Sequence, residues 1–210
     1  MVRGSWSLCA VLCFVLAGTA MAGGAGLLIY VQPAELAWAD TNLAARLQAR
    51  LALKSFQQIT IVSAQDSSFP GVNASQENLM AWGRGRDGTG LLVVSITDER
   101  LERRKSFHVP LVFHKWETMG VIEGRYRLFD LQRLRMTAAE PFSIEQHGPR
   151  VFQGTMDDNI DDPDIHLRAP DKVQFFSRLE DQLIERLVER AQPLTGKHDR
   201  EAYAQKTKGK

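Results

Sequence analysis

Hydrophobic and polar positions change period several times along the chain, and the changes mark out its elements. Leu27 to Val31 is a short, unbroken apolar run, the mark of a strand buried on both faces. Leu43, Leu47 and Leu51 then recur at i, i+4 and i+8, with Ala44 widening the stripe. That spacing predicts a helix capped by Asp40 and running to about Phe56. Ile59-Thr60-Ile61-Val62 predicts a second strand, ended by the polar turn Gln65-Asp66-Ser67-Ser68. Ser75 is placed to cap a short helix to Trp82, with Leu79 and Trp82 facing inward. Leu91 to Ile96 is the third and most apolar strand. A β-α-β-α-β order of this kind predicts that the first strands are parallel.

Alternation then takes over. Ser106 to Glu117 sets Phe107, Val109, Leu111 and Phe113 on one face, and Val121 to Leu131 does the same with Ile122, Tyr126 and Leu128. Arg135 to Ile144 predicts a further antiparallel strand, weakened at its end by Pro141. The last helix is expected to start at Pro170-Asp171, with Asp171 as N-cap and Gln174 in the capping-box position. Its stripe is Phe176, Leu179, Leu183 and Leu187, backed by Val173, Ile184 and Ala191, and Pro193 and Gly196 end it. The fold class expected is α+β: a β-α-β-α-β opening, an antiparallel meander and a C-terminal helix, forming one mixed sheet covered by helices.

The N-terminus carries a different signal. Arg3 is followed by the apolar run Leu8 to Ala17, and Ala20-Met21-Ala22 puts small residues where signal peptidase reads. A signal peptide is therefore expected over 1–22, a single α+β domain over 23–192 and a basic tail over 193–210. Cleavage after Ala22 would remove Arg3 and both cysteines, leaving equal numbers of basic and acidic residues and no thiol. A cysteine-free exported chain fits the bacterial periplasm. If the leader were retained, the charge-free stretch from Gly4 to Ala34 is long enough to anchor the same domain in the inner membrane.

Composition removes several function classes. With 26 Lys+Arg against 25 Asp+Glu the chain lacks the basic excess of a nucleic-acid binder. Gly83-Arg84-Gly85-Arg86-Asp87-Gly88 spells G-x-G-x-x-G, but a helix precedes it and a strand follows. Dinucleotide binding needs the opposite order, so that a helix N-terminus can hold the pyrophosphate. No nucleotide or cofactor is expected. The acidic stretch from Asp157 to His166 is the densest carboxylate cluster, with Asp157, Asp161, Asp164 and His166 as weak metal candidates. Asp162 stands where a calcium loop needs glycine, and Arg168 where it needs glutamate, so the EF-hand pattern fails. A periplasmic metal-assisted hydrolase built on that loop is the enzymatic alternative. His108 and His114, read as members of one strand, would stand roughly 20 Å apart, too far to share an ion. Arg100, Arg103, Arg104 and Lys105 form an expected basic turn interleaved with Glu99 and Glu102. Arg103 and Arg104, with Trp116 at a nearby strand end, are the candidate partner-binding residues.

The order of elements resembles a family of small bacterial envelope domains. It includes the N-terminal domain of the Tol-Pal translocation protein, the outer-membrane activators of penicillin-binding proteins, the curli-secretion lipoprotein and the middle domain of a flagellar assembly protein. The resemblance spans about Leu27 to Ala191. It rests on the amphipathic helix before Ile59-Thr60-Ile61-Val62, on Gly90 to Ile96 after a Gly-rich loop, on Tyr126-Arg127-Leu128-Phe129-Asp130, and on the terminal helix. It implies a non-enzymatic protein docking onto an envelope partner. No lipobox precedes either cysteine, and Leu131-Gln132-Arg133 lacks the glycine usual after the aspartate, so no partner and no binding residue carry over.

Overall fold

A computed structural model describes residues 26–34, 42–55, 57–109, 113–154 and 169–195, without side chains for 105–109, 113–116, 149–154 and 169. The strands are β1 (Leu27–Gln32), β2 (Ile59–Ile61), β3 (Gly90–Val109), β4 (Phe113–Asp130) and β5 (Arg135–Gly154). The helices are α1 (Leu43–Lys54), α2 (Gln76–Arg84) and α3 (Ala169–Ala191), and a 3-10 turn, Gln192–Leu194, follows α3. The strands form one sheet in the order β2-β1-β3-β4-β5. β1 is parallel to both β2 and β3, whereas β4 is antiparallel to β3 and to β5. The mixed α+β sheet with a terminal helix is therefore as the sequence predicts.

Alternation along the central strands divides the core in two. Leu27 and Ile29 of β1, Leu92 and Val94 of β3, and Ile122, Tyr126 and Leu128 of β4 pack with α1 and α3. The intervening Leu28, Tyr30, Leu91, Val93 and Phe129 pack beneath α2, with Leu79 at its centre. β1 is apolar at every position from Leu27 to Val31 because each of its faces meets a helix layer. Leu43, Leu47 and Leu51 of α1 and Phe176, Leu179, Leu183 and Leu187 of α3 are all buried.

Several local expectations need correction. α1 begins at Leu43 after Asn42 at the cap position, and Asp40 lies outside the described residues. Ser75 does cap α2, its side chain accepting from the Asn78 backbone N–H, while Trp82 is only half-buried. α3 starts at Ala169, so Asp171 sits in its first turn, where its charge favours the positive helix end. Val173 is 53% exposed and does not back the stripe; Phe175, left out of it, is buried beside Phe176.

The meander is the largest correction. β3 runs on through the expected basic turn, and the segment read as a fourth strand, 106–117, is two strands that reverse across 110–112. His108 and His114 are consequently register partners, not residues at two ends of one strand. β5 continues past Pro141 to Gly154, and it is an edge strand, the place in a sheet where proline is tolerated. Register shifts interrupt these long ladders at Ile96/Asp98, Lys105/Phe107, Glu117/Met119 and Leu128/Phe129, where a bulge bends the strand and increases its local twist.

Candidate partner surface and basic cleft

β1 pairs with β3 only from Gly90 to Ser95, so beyond that point the sheet continues as the three strands β3, β4 and β5. This outer part explains why a strand can be written in charges. Arg100 donates to Asp98 at 2.6 Å, to Glu102 at 2.7 Å, and to both oxygens of Glu123 at 2.9 and 3.1 Å. Hydrogen bonds to Glu123, then Asp98, hold the guanidinium proton more firmly than usual, and the same contact holds the Glu123 carboxyl below its ordinary range. Ion pairs along β3 and across to Glu123 of β4 thus hold this exposed face together, while Leu101 and Ile122 keep the other face in the core.

Arg103 and Arg104 lie opposite Thr118 and Glu117, and Lys105 lies opposite Trp116. The backbone register therefore sets Trp116 one position from Arg104's partner and two from Arg103's, with the two arginines on opposite faces of β3. Arg104 is half-exposed and makes two long contacts, 3.5 Å to Glu102 and 3.5 Å to Glu145. Beyond it, His147 stands 3.3 Å from the buried Glu117. Asp157, Asp161, Asp164 and His166 lie outside the described residues. Among the described residues, no three His, Cys, Asp or Glu side chains are grouped to hold a metal ion, and no helix is long and apolar enough to cross a membrane.

Closer to the core, the face carrying α2 opens into a cleft that sequence reasoning missed. One part, about 380 Å3, is lined by Thr97, Arg125, Arg127, Ala139 and Pro141, and a second, about 550 Å3, by Asn73, Ser95, Thr97, Asp98 and Arg125. Arg127 donates to the backbone carbonyls of Val72 and, at 2.9 Å, of Ala74, tying β4 to the loop before α2. Burial, and then the charge of Arg125, pull its guanidinium below the usual arginine range. Arg125 is exposed and has no ion pair or hydrogen bond among the described residues. The available signal was Arg125-Tyr126-Arg127, whose alternation puts both arginines on the face opposite a buried tyrosine.

The glycine-rich stretch is a packing device. Gly83 lies inside α2, and a Cβ there would stand 2.7 Å from Leu131 Cδ1. The stretch joins a helix to a strand, as expected. Arg86 is drawn back to Asp66 at 2.5 Å and to Ser68 Oγ at 2.7 Å, while its guanidinium lies 4.8 Å from the centre of the Trp82 ring.

No known protein family matches the chain, and no curated protein is significantly similar to it in sequence. Solved structures of similar arrangement include a PelC dodecamer from Paraburkholderia phytofirmans, at 11% identity and TM-score 0.38, covering 83% of this chain and 91% of that one. A minor lipoprotein from Acinetobacter baumannii is similar at 10% identity and TM-score 0.36, covering 80% and 90%. Lipoprotein GNA1162 from Neisseria meningitidis is similar at 15% identity and TM-score 0.31, covering 78% and 96%. None of these carries a site residue onto this chain.

Proposed function

We propose that this chain is an exported, non-enzymatic accessory of the bacterial cell envelope that binds a protein partner. In this reading, 1–22 is a cleaved signal peptide and 23–192 is one periplasmic domain followed by a basic tail. The observation that supports partner binding is the outer half of β3. It presents Arg103, Arg104 and Lys105 opposite Thr118, Glu117 and Trp116, in a part of the strand that β1 no longer pairs. Arg104, whose ion pairs among the described residues are both at 3.5 Å, is the natural cation for a partner to engage.

Two measurements test the reading. The intact mass of the protein from its host's envelope fraction is expected to begin at Gly23; recovery of the full-length chain from the cytosol overturns export. Crosslinking in the envelope is expected to capture one defined partner, and R103E/R104E to abolish the capture without unfolding the domain. Capture that survives this charge reversal overturns the assignment of the surface.

A further inference from the structure

We propose that the cleft between the loop before α2 and strand β5 binds a small soluble ligand bearing a carboxylate or phosphate group, gripped by Arg125 beside Arg127. This inference is separate from the partner surface, which lies further along β3, and it stands on charge, geometry and space.

Arg125 and Arg127 leave β4 two residues apart and hence on one face. The acids nearby are already engaged. Asp98 and Glu123 are bonded to Arg100, Glu140 accepts from Tyr126 and faces Arg190, and Glu99, which lines the second part of the cleft, is buried and has a partner of its own. Arg127 is held by two backbone carbonyls, which orient a guanidinium without neutralising it. Two like charges are therefore left side by side, and their repulsion contributes to the lowered pKa of Arg127. An oxyanion seated between them would relieve that repulsion and match the planar fork of Arg125.

The surroundings suit a molecule rather than a bare ion. Ala139 and Pro141 supply an apolar wall on one side, and Ser95 and Asn73 supply polar groups on the other. Thr97 is the extra residue of the bulge between Ile96 and Asp98, and it lines both parts of the cleft. Bulges of this kind redirect a side chain at a binding site. Volumes of about 380 and 550 Å3 fall within the range of small-molecule sites, roughly 300–1,000 Å3.

The test is titration calorimetry on the protein purified from its host, with citrate and with inorganic pyrophosphate, at fixed ionic strength. Saturable binding of at least one probe is expected. Arg125→Ala should weaken it about tenfold or more, Arg125→Lys less, and Arg84→Ala, which removes an exposed arginine outside the cleft, should leave it unchanged. Circular dichroism on each variant keeps a folding defect from being read as a binding defect. The proposal is overturned by no saturable binding of either probe, or by equal weakening in the Arg125 and Arg84 variants. It is equally overturned by binding to phosphatidylglycerol vesicles alone, which would make the arginines a lipid contact.

Discussion

The hydroxyl of Tyr126 donates a hydrogen bond to Glu140 Oε2 at 2.8 Å, and Arg190 of α3 closes on the same oxygen at 3.3 Å. One carboxylate thus joins the middle of the sheet to the last turn of the helix above it. Burial of the ring, then the bond to Glu140, push the Tyr126 hydroxyl from 10.0 up to about 12. Because the folded value is raised, stability is fully present below pH 10 and is lost as pH rises toward 12. Tyr126→Phe should cost about 1 kcal/mol in urea unfolding at neutral pH. It should also remove a phenolate absorbance step near pH 12 and flatten the alkaline loss of stability. An unchanged alkaline titration would show that Tyr126 is not the late-ionising group.

Gly120 lies where α3 crosses the sheet. A Cβ there would stand 2.3 Å from Phe175 Cε1 and 2.6 Å from Leu179 Cδ1. Both are core side chains, so the helix would have to lift rather than a surface chain swing away. Gly120→Ala is expected to destabilise by about 1–3 kcal/mol, read as a lower denaturation midpoint. Gly71→Ala provides the contrast: nothing lies within 4 Å of the added Cβ, and only its φ of +93° resists the change.

The inner half of the fold was legible because burial there follows simple periods. Leu27 to Val31 reads as a two-faced strand, and Leu43, Leu47 and Leu51 read as one helix stripe, since each apolar residue meets a core. The outer half broke that rule. In β3, Arg100 pairs with Asp98 and Glu102 of its own strand and with Glu123 of β4, and Leu101 is the one apolar residue among them to reach the core, so the stretch reads as a solvated turn. The run Phe107 to Phe113 misled in the opposite direction, its alternation continuing across Pro110 as if the strand did not reverse. Arg103 and Arg104 stand twelve or more residues from Trp116 in the sequence, and it is the hairpin register that sets Trp116 opposite Lys105, next to Arg104. Arg125 and Arg127 stayed hidden because Arg127 is anchored by carbonyls from residues 72 and 74, a tertiary contact no local pattern encodes.

Arg46 fastens the two helices that share a face. Its guanidinium donates to Glu180, to the Ser177 carbonyl at 3.0 Å and to Asp181 at 2.6 Å. Glu180 is buried and Asp181 exposed, so the Glu180 contact is the one solvent screens least. Arg46→Ala should cost about 2 kcal/mol, and Arg46→Lys less, since an ammonium keeps charge but loses the fork. A double-mutant cycle with Glu180→Gln checks the assignment; strictly additive effects would show that the pair is not coupled.

Acid should act on the outer sheet through Glu123. Its carboxyl is held below its ordinary value of 4.5 chiefly by the hydrogen bonds from Arg100. A depressed carboxylate contributes stability that is present above its unfolded value and is lost as pH falls through the folded one. The loss therefore belongs below about pH 4.5, and it is modest because the group is 40% exposed. Glu123→Gln should flatten the acid limb of the stability curve while changing neutral-pH stability little. Salt should mimic the variant, since 1 M sodium chloride shortens the Debye length to about 3 Å and weakens the Arg100 contacts in the wild type. The check is the denaturation midpoint of both proteins between pH 3 and pH 7, at low and at high salt. Parallel acid limbs in wild type and variant would move the acid-sensitive group elsewhere, with Asp66 as the next to test, its carboxyl lowered first by the Ser68 hydroxyl.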